Sequence, residues 1–567
     1  SGDNEDPWPL IDRWLRDPAS HKEAARRVSP VMSKTWTALP EKRRALLQLL
    51  SRFDLTVDQA TRLYQETERE KARIELSDDD LLANSYLVYE RDRLTVDPVP
   101  VGTVDRGVFP EDRVRAAHPL PEPSRIDDPV DPRRVRALVL DVLERAAVAG
   151  DSIWPRGRVL QDIRDQPLQP ACPISNDVMA ICEPDLAPEV KIAAMADGSP
   201  AYQLKRLAEA QSLIARQISR RCKAAPLKVE AAWRAVIDTE LGEGPADDDG
   251  DEELARQEKA AALEVLATSR VSVLIGTAGT GKTTLLRALT NLEAVNSGGL
   301  LLLAPTGKAR VRMQEAIGAT TGATAMTVAQ LLVRIDRYDG TTGRYRRSDH
   351  DRWRGARTVI VDESSMLTED ALDALLDGIE GYDRLVLVGD PRQLPPIGVG
   401  RPFVDIVQYV REQCGPMTFP RVGPSYAELT IPRRQLTTGH SSDRPDLLLA
   451  EWFAGGEPSP GADEVWDQLR RGQDLGSVSV RQWTTTEELH AVIRRELAAS
   501  LDEMTDTEDT EGFQRSYGGT VSGDHVYFNI GAAGAVENWQ VLSPVRASGG
   551  GVNELNRLLQ RTYRASA

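Results

Sequence analysis

Glycines at 276, 279 and 281 lead directly into Lys282 and Thr283 in the run Gly276-Thr277-Ala278-Gly279-Thr280-Gly281-Lys282-Thr283. These residue types in this order suit the binding of a polyphosphate. Glycines let successive backbone N–H groups turn toward phosphate oxygens, a helix start adds positive potential, and a lysine neutralises the terminal phosphates. Thr283 offers its hydroxyl to a metal ion, and Thr284 carries the chain into the helix. The expected ligands are ATP and Mg²⁺.

Further along, Asp362 and Glu363 end the apolar run 358–361. Asp362 is placed to hold Mg²⁺ through water, and Glu363 to orient and deprotonate the attacking water. Gly389-Asp390 ends a second apolar run, and Gln393 follows three residues on, where its amide would sense the γ-phosphate. Arg433 and Arg434 come later. One of them, preferably Arg434 because Gln435 follows it, would stabilise charge on the transferred phosphoryl. The candidate catalytic set is therefore Lys282, Glu363, Gln393 and Arg434. Gln257 stands fourteen residues before the strand expected at 271–275, and fits either a glutamine that reads adenine or an ordinary helix-surface residue.

Chemistry of this kind needs strands whose ends converge. Short apolar runs at 271–275, 300–303, 358–361 and 385–388 alternate with helical segments, and such continuous runs suit parallel strands buried on both faces. The expected fold class is α/β, a parallel-sheet phosphate-loop domain preceded by a mainly helical region. Helical spacing marks a domain at 1–97, weak periodicity rich in Pro, Asp and Arg suggests an extended connector at 98–132, and amphipathic helices return over 133–241. Seven acidic residues and three glycines among the twelve of 242–253 predict a solvated linker. The sheet domain is then assigned to 254–425, with a β-hairpin near 335–347. A second, partial unit of the same kind is expected over 426–567, with strands at 427–431, 478–483 and 540–542 and helices at 486–499 and 553–563.

A formal charge of −17 argues against a broad basic surface. A locally basic channel on an acidic body remains compatible with polyanion binding. Only 11 of the 70 basic residues are lysines, yet Lys282 and Lys308 both fall in motifs. No apolar run of 18 residues exists, so no membrane partner is expected and the cytoplasm is the expected location. Cys172, Cys182, Cys222 and Cys414 lack metal-ligand spacing and read as free thiols.

The ordered set Gln257, Gly276 to Thr283, Ala304-Pro305-Thr306-Gly307-Lys308, Val361-Asp362-Glu363-Ser364-Ser365-Met366, Gly389 to Pro396 and Arg434-Gln435 resembles the RecD-like branch of superfamily 1B helicases. The resemblance implies two RecA-like domains that clamp ATP and move 5′ to 3′ along single-stranded DNA, with duplex or forked DNA as a further substrate and a monomer as the expected state. It implies strand contacts from Pro305, Thr306, Lys308 and Thr327. Ala329 stands where the family carries His, which predicts one weakened contact. The hairpin near 335–347 matches the place of the family's strand-separating pin, although a surface hairpin without that role fits the residues equally. After Asn556 the family continues through further motifs that do not occur before Ala567. A C-terminally shortened chain that binds ATP but hydrolyses it and unwinds poorly is the resulting expectation. An RNA-directed helicase and a phosphate-loop ATPase independent of nucleic acid stay open as alternatives.

Overall fold

The computed structural model describes residues 7–242, 250–277, 279–318, 321–431, 444–453, 460–523, 525–529, 532, 535, 538–545 and 548–564. Two compact units divide between Thr438 and Gly439.

The first unit opens with helices and a small antiparallel sheet of β1 (Trp154–Pro155), β2 (Val190–Ala194) and β3 (Pro200–Leu204), ordered β1-β3-β2. Its apolar core runs without a break from Leu46 to Leu207. The boundaries expected at 97 and 132 are therefore not domain boundaries. Residues 98–132 are no extended connector, for they contain the helices Val101–Val108 and Asp112–Ala117. Val101, Val104 and Val108 form a buried stripe at helical spacing that the many surrounding prolines obscure in the sequence. The segment is also tied in by charge. Fully buried Arg134 donates to both oxygens of Asp105 at 2.8 and 2.9 Å, and the Tyr86 hydroxyl donates to the same carboxylate at 2.6 Å.

The linker expected at 242–253 is also shorter than its composition suggests. Residues 243–249 lie outside the described residues, and Gly250 already opens the helix Gly250–Thr268. Glu252 and Glu253 pair with Arg256 and Arg234 instead of facing only water. The preceding helix, Trp233–Leu241, contributes Ile237 to the core beneath the sheet, so it belongs with the α/β domain and not with the helical region.

That domain is built on seven strands in the order β11-β12-β4-β10-β9-β5-β6. They are β4 (Val271–Gly276), β5 (Leu300–Ala304), β6 (Ala325–Thr327), β9 (Thr358–Val361), β10 (Arg384–Gly389), β11 (Val422–Gly423) and β12 (Tyr426–Leu429). All adjacent pairs are parallel except β11 with β12. Alternate residues divide between two apolar layers: Val271, Val273 and Ile275 on one side, Leu274 on the other, and likewise Leu385 and Leu387 against Val386 and Val388. Burial on both faces is why these strands read as unbroken apolar runs. The strand expected to open a second domain, β12, instead pairs with β4 in this sheet. Between β6 and β9, β7 (Tyr338–Asp339) and β8 (Arg344–Tyr345) form the expected hairpin. Fully buried Arg337 fixes its base through Asp377 at 2.8 Å and the carbonyls of Ile335 and Ser348 at 2.8 and 2.7 Å.

The second unit has the expected helices, as Thr486–Ser500 and Val552–Arg564. Its small core gathers Leu497, Leu501, Met504, Phe513 and Tyr563. Residues 478–483 and 540–542 do not form the expected strands. The sheet among the described residues of this unit is the hairpin of β13 (Thr520–Ser522) and β14 (His525–Tyr527), within the glycine-rich segment. A parallel strand needs a neighbour to accept its ladder, and these isolated runs have none among the described residues.

Candidate functional site

Strand register brings the motifs to one edge. Gly276 pairs with Leu429, Gly389 with Ile275, Leu387 and Leu303 with Val361, and Ala304 with Thr327. The segments after β4, β5, β6, β9, β10 and β12 thus all leave from the carboxyl end of the sheet, where open α/β sheets place their ligands.

Gly279 and Gly281 take φ of +86° and +90°, conformations that favour glycine. Gly276 is needed for space, since a Cβ there would lie 2.7 Å from Thr280 Oγ1 and 2.9 Å from the Leu429 carbonyl. Buried Thr280 donates to Thr277 O at 2.9 Å and closes the turn. Lys282 opens the helix Lys282–Asn291, and its ammonium donates to Gly276 O at 2.5 Å and Thr277 O at 3.1 Å. Thr283 is exposed and Thr284 half-buried on the first turn. Ala278 lies outside the described residues.

Asp362 continues β9 by donating its N–H to Leu303 O at 2.9 Å. Its Oδ1 accepts the N–H of Glu363 at 2.9 Å, and Glu363 turns sharply with φ of +50°. Burial pushes the Asp362 carboxyl up to about 6, against the hydrogen bond from the Glu363 N–H; the Glu363 charge adds to the rise and the Lys282 charge opposes it. The phosphate-loop lysine and the strand-end carboxylate therefore feel one another. These residues fit a Mg-nucleotide: the loop admits no added Cβ, an ammonium stands at its mouth, and a half-buried carboxyl is poised to ionise beside a cation.

After β10, Asp390 accepts from Arg392 N–H through its carboxylate at 3.0 Å and from Gln393 N–H through its carbonyl at 3.2 Å. The turn presents Gln393 to a groove of about 640 Å³ lined also by Pro305, Thr306, Val328, Tyr345, Met366, Thr368 and Leu394 to Ile397. None of its lining side chains is charged, and Leu394 and Ile397 are 87% and 95% exposed. Thr306 caps the helix Gly307–Met313, and Thr327 caps Val328–Arg334 through a capping box with Gln330. Pro305, Thr306 and Gln393 thus share a surface. Lys308 is exposed on the first helical turn, and neither it nor Thr327 lines the groove. A larger cleft, about 1290 Å³, lies between residues 66–79 and 336–352. No motif residue lines it, and its cations pair with acids, as in Lys42–Asp79 and Arg69–Asp78.

One expected residue, Gln257, is turned to another partner. Gln257 is exposed and donates to Glu253 at 3.0 Å. Two residues on, Lys259 turns the other way, and a Cβ on Gly281 would meet its Cε at 3.0 Å. Arg433, Arg434 and Gln435 lie outside the described residues. Sequence reasoning missed Glu258, which accepts from Thr430 N–H at 2.8 Å and its hydroxyl at 2.6 Å and so fastens the end of β12. The one signal was a fully buried acid in an otherwise Ala- and Leu-rich helix, which burial alone reveals.

This is a RecA-like P-loop domain. A family model described as an AAA domain matches residues 253–415. An ATP-dependent RecD2 DNA helicase of Deinococcus radiodurans is 31% identical over 293 residues, covering 49% of this chain and 37% of the relative. The RecBCD enzyme subunit RecD of Mycolicibacterium smegmatis is 33% identical over 275 residues, covering 44% and 46%. The chain is related to RecD-type helicases over somewhat less than half of its own length, and it spans less than half the length of these two curated relatives. The crystal structure of Bacteroides Pif1 bound to ssDNA shares 18% identity over 43% of this chain and 56% of that one, with a TM-score of 0.24, too low to inform the site. Among the described residues no helix is long and apolar enough to cross a membrane, and no cluster of metal-ligating side chains occurs. The four cysteines are free thiols.

Proposed function

We propose that the chain is the motor portion of an ATP-dependent helicase or translocase that moves along single-stranded DNA, 5′ to 3′ as in the family it resembles. The observation that supports this most is the shared sheet edge, which carries the phosphate loop, Asp362-Glu363 and an uncharged groove lined by Pro305, Thr306 and Gln393. A phosphate loop alone would suit any nucleotide switch. The adjoining groove is what favours a strand-tracking motor.

In this proposal Lys282 and the loop N–H groups hold the β- and γ-phosphates. Mg²⁺, when bound through Thr283 and Asp362, supplies charge neutralisation at the transferred phosphoryl. Glu363 accepts a proton as water attacks the γ-phosphorus and the bond to the bridging oxygen breaks, releasing ADP. Gln393, between Asp390 and the groove, links the state of the γ-phosphate to the strand surface. Arg434 is proposed to approach the phosphates from beyond β12, whose end Glu258 fastens. Hairpin β7–β8 is proposed to stand where a duplex or fork opens, with its base locked by Arg337. Residues 444–564 are proposed to form part of a second lobe.

ATP turnover measured with and without oligodeoxythymidine, and with the matching RNA, tests the proposal. DNA should stimulate turnover more than RNA does. Turnover indifferent to both would leave a nucleotide switch instead.

A further inference from the structure

Beyond the groove rim, the chain turns from Ile397 into the helical region. Val399 is 5% exposed and sits in that region's core, where it is the one member from beyond Leu207 among the described residues. Backbone bonds secure it on both sides: Gly400 N–H donates to Gly150 O at 3.0 Å, and Glu369 N–H donates to Val399 O at 2.9 Å. Gly398 and Gly400 take φ of +131° and +74°. A Cβ on Gly398 would lie 2.9 Å from Thr368 Cγ2, and one on Gly400 would lie 2.7 Å from Glu369 Oε2. The acceptor, Gly150, ends the helix Pro132–Ala149 in the left-handed conformation.

Three parts of the unit therefore meet at this one valine: the helical core, the end of Pro132–Ala149 and the start of the helix Glu369–Gly378. The last follows Asp362-Glu363 after a single turn, Ser364–Met366. Gln393 itself is exposed, and its N–H is held by the Asp390 carbonyl. A loop pinned at one end samples many conformations, and a second anchor removes much of that freedom before any ligand arrives.

We infer that Val399 is a positioning residue: seated in the core of the helical region, it fixes the loop that carries Gln393, so that recognition of the γ-phosphate depends on the helical region. The inference rests on the nucleotide-sensing role proposed for Gln393. It gives the helical region a part in nucleotide discrimination, a role that would otherwise belong to the sheet domain alone.

The test compares affinities for ADP and for a non-hydrolysable ATP analogue, each with Mg²⁺, by calorimetry on the full chain. Gln393→Ala should remove the preference for the triphosphate. Val399→Ala should reduce that preference about fivefold while ADP affinity stays within about twofold, a typical size for coupling between sites. Val399→Ile should retain it, and Val399→Ala added to Gln393→Ala should change nothing further. If Gln393→Ala leaves the preference intact, the sensing role fails and the inference falls with it. If Gln393→Ala removes the preference but Val399→Ala does not, or lowers both affinities alike, the inference alone is overturned. Hydrogen exchange on the unaltered chain gives a second readout. The amides of Glu369 and Gly400 should exchange as slowly as the core of Pro132–Ala149 and more slowly than those of Gln393, Leu394 and Ile397, and exchange as fast as the rim would overturn the anchoring.

Discussion

The nucleotide end of the sheet and the groove beside it share one edge but are made of opposite materials. Around β4 and β9 the chain supplies glycines at positive φ, an ammonium, and a carboxyl raised by burial. Around β5 and the loop after β10 it supplies prolines, aliphatic side chains and hydroxyls, with no charged residue lining the groove. A cradle for phosphates needs fixed donors and charge, whereas the strand contact proposed for the groove would rest on apolar and hydroxyl side chains. The net charge of −17 is compatible with both, because neither depends on a wide basic field.

Breaking the charged side should have the largest effects. Lys282→Ala should lower nucleotide affinity by about 100-fold or more, read by titration with a fluorescent nucleotide, since a charge-assisted contact to phosphate is lost. Glu363→Gln should instead leave nucleotide affinity within about twofold and slow single-turnover hydrolysis by roughly 10² to 10⁴, the usual worth of a positioned base. Equal loss of binding in both variants would erase the distinction between cradle and base.

On the groove side, Ile397→Ser should weaken binding of oligodeoxythymidine by about tenfold, as loss of one covered aliphatic side chain does. Its melting temperature should not move, because the side chain is 95% exposed. Lys308→Ala should reduce the slope of log affinity against log salt by about one, the signature of one phosphate contact. A changed slope in Ile397→Ser, or an unchanged one in Lys308→Ala, would reverse the assignment of apolar and ionic roles.

The smallest effect concerns Asp362, whose carboxyl is raised to about 6 from an ordinary 3.8. Between those values the folded protein holds a proton that the unfolded chain releases, so this stabilisation is present at low pH and lost as pH rises through about 6. In EDTA without nucleotide, Asp362→Asn should therefore stabilise the protein at pH 8 relative to its effect at pH 4.5, by roughly 1 kcal/mol in urea unfolding. Nucleotide binding with Mg²⁺ should run the other way in the unaltered chain, weakening below about pH 6 as the carboxylate protonates.

The amino-acid sequence by itself determined the chemical parts and their local geometry. A loop with Gly279 and Gly281 at positive φ, strands apolar along their whole length, and the caps at Thr306 and Thr327 all follow from interactions within a few residues. Tertiary structure alone decided where those parts go. The stripe Val101, Val104 and Val108 was hidden among prolines until packing revealed it, and β12 joined the first sheet because β4 offered a free edge. Gln257 turned to Glu253 while Lys259 met the phosphate loop, since residues two apart on one helix face different ways. Val399 reached a core made of residues 192 to 353 positions earlier. Local rules carry no information about such distant partners, because burial is a property of the whole fold and not of any window of the chain.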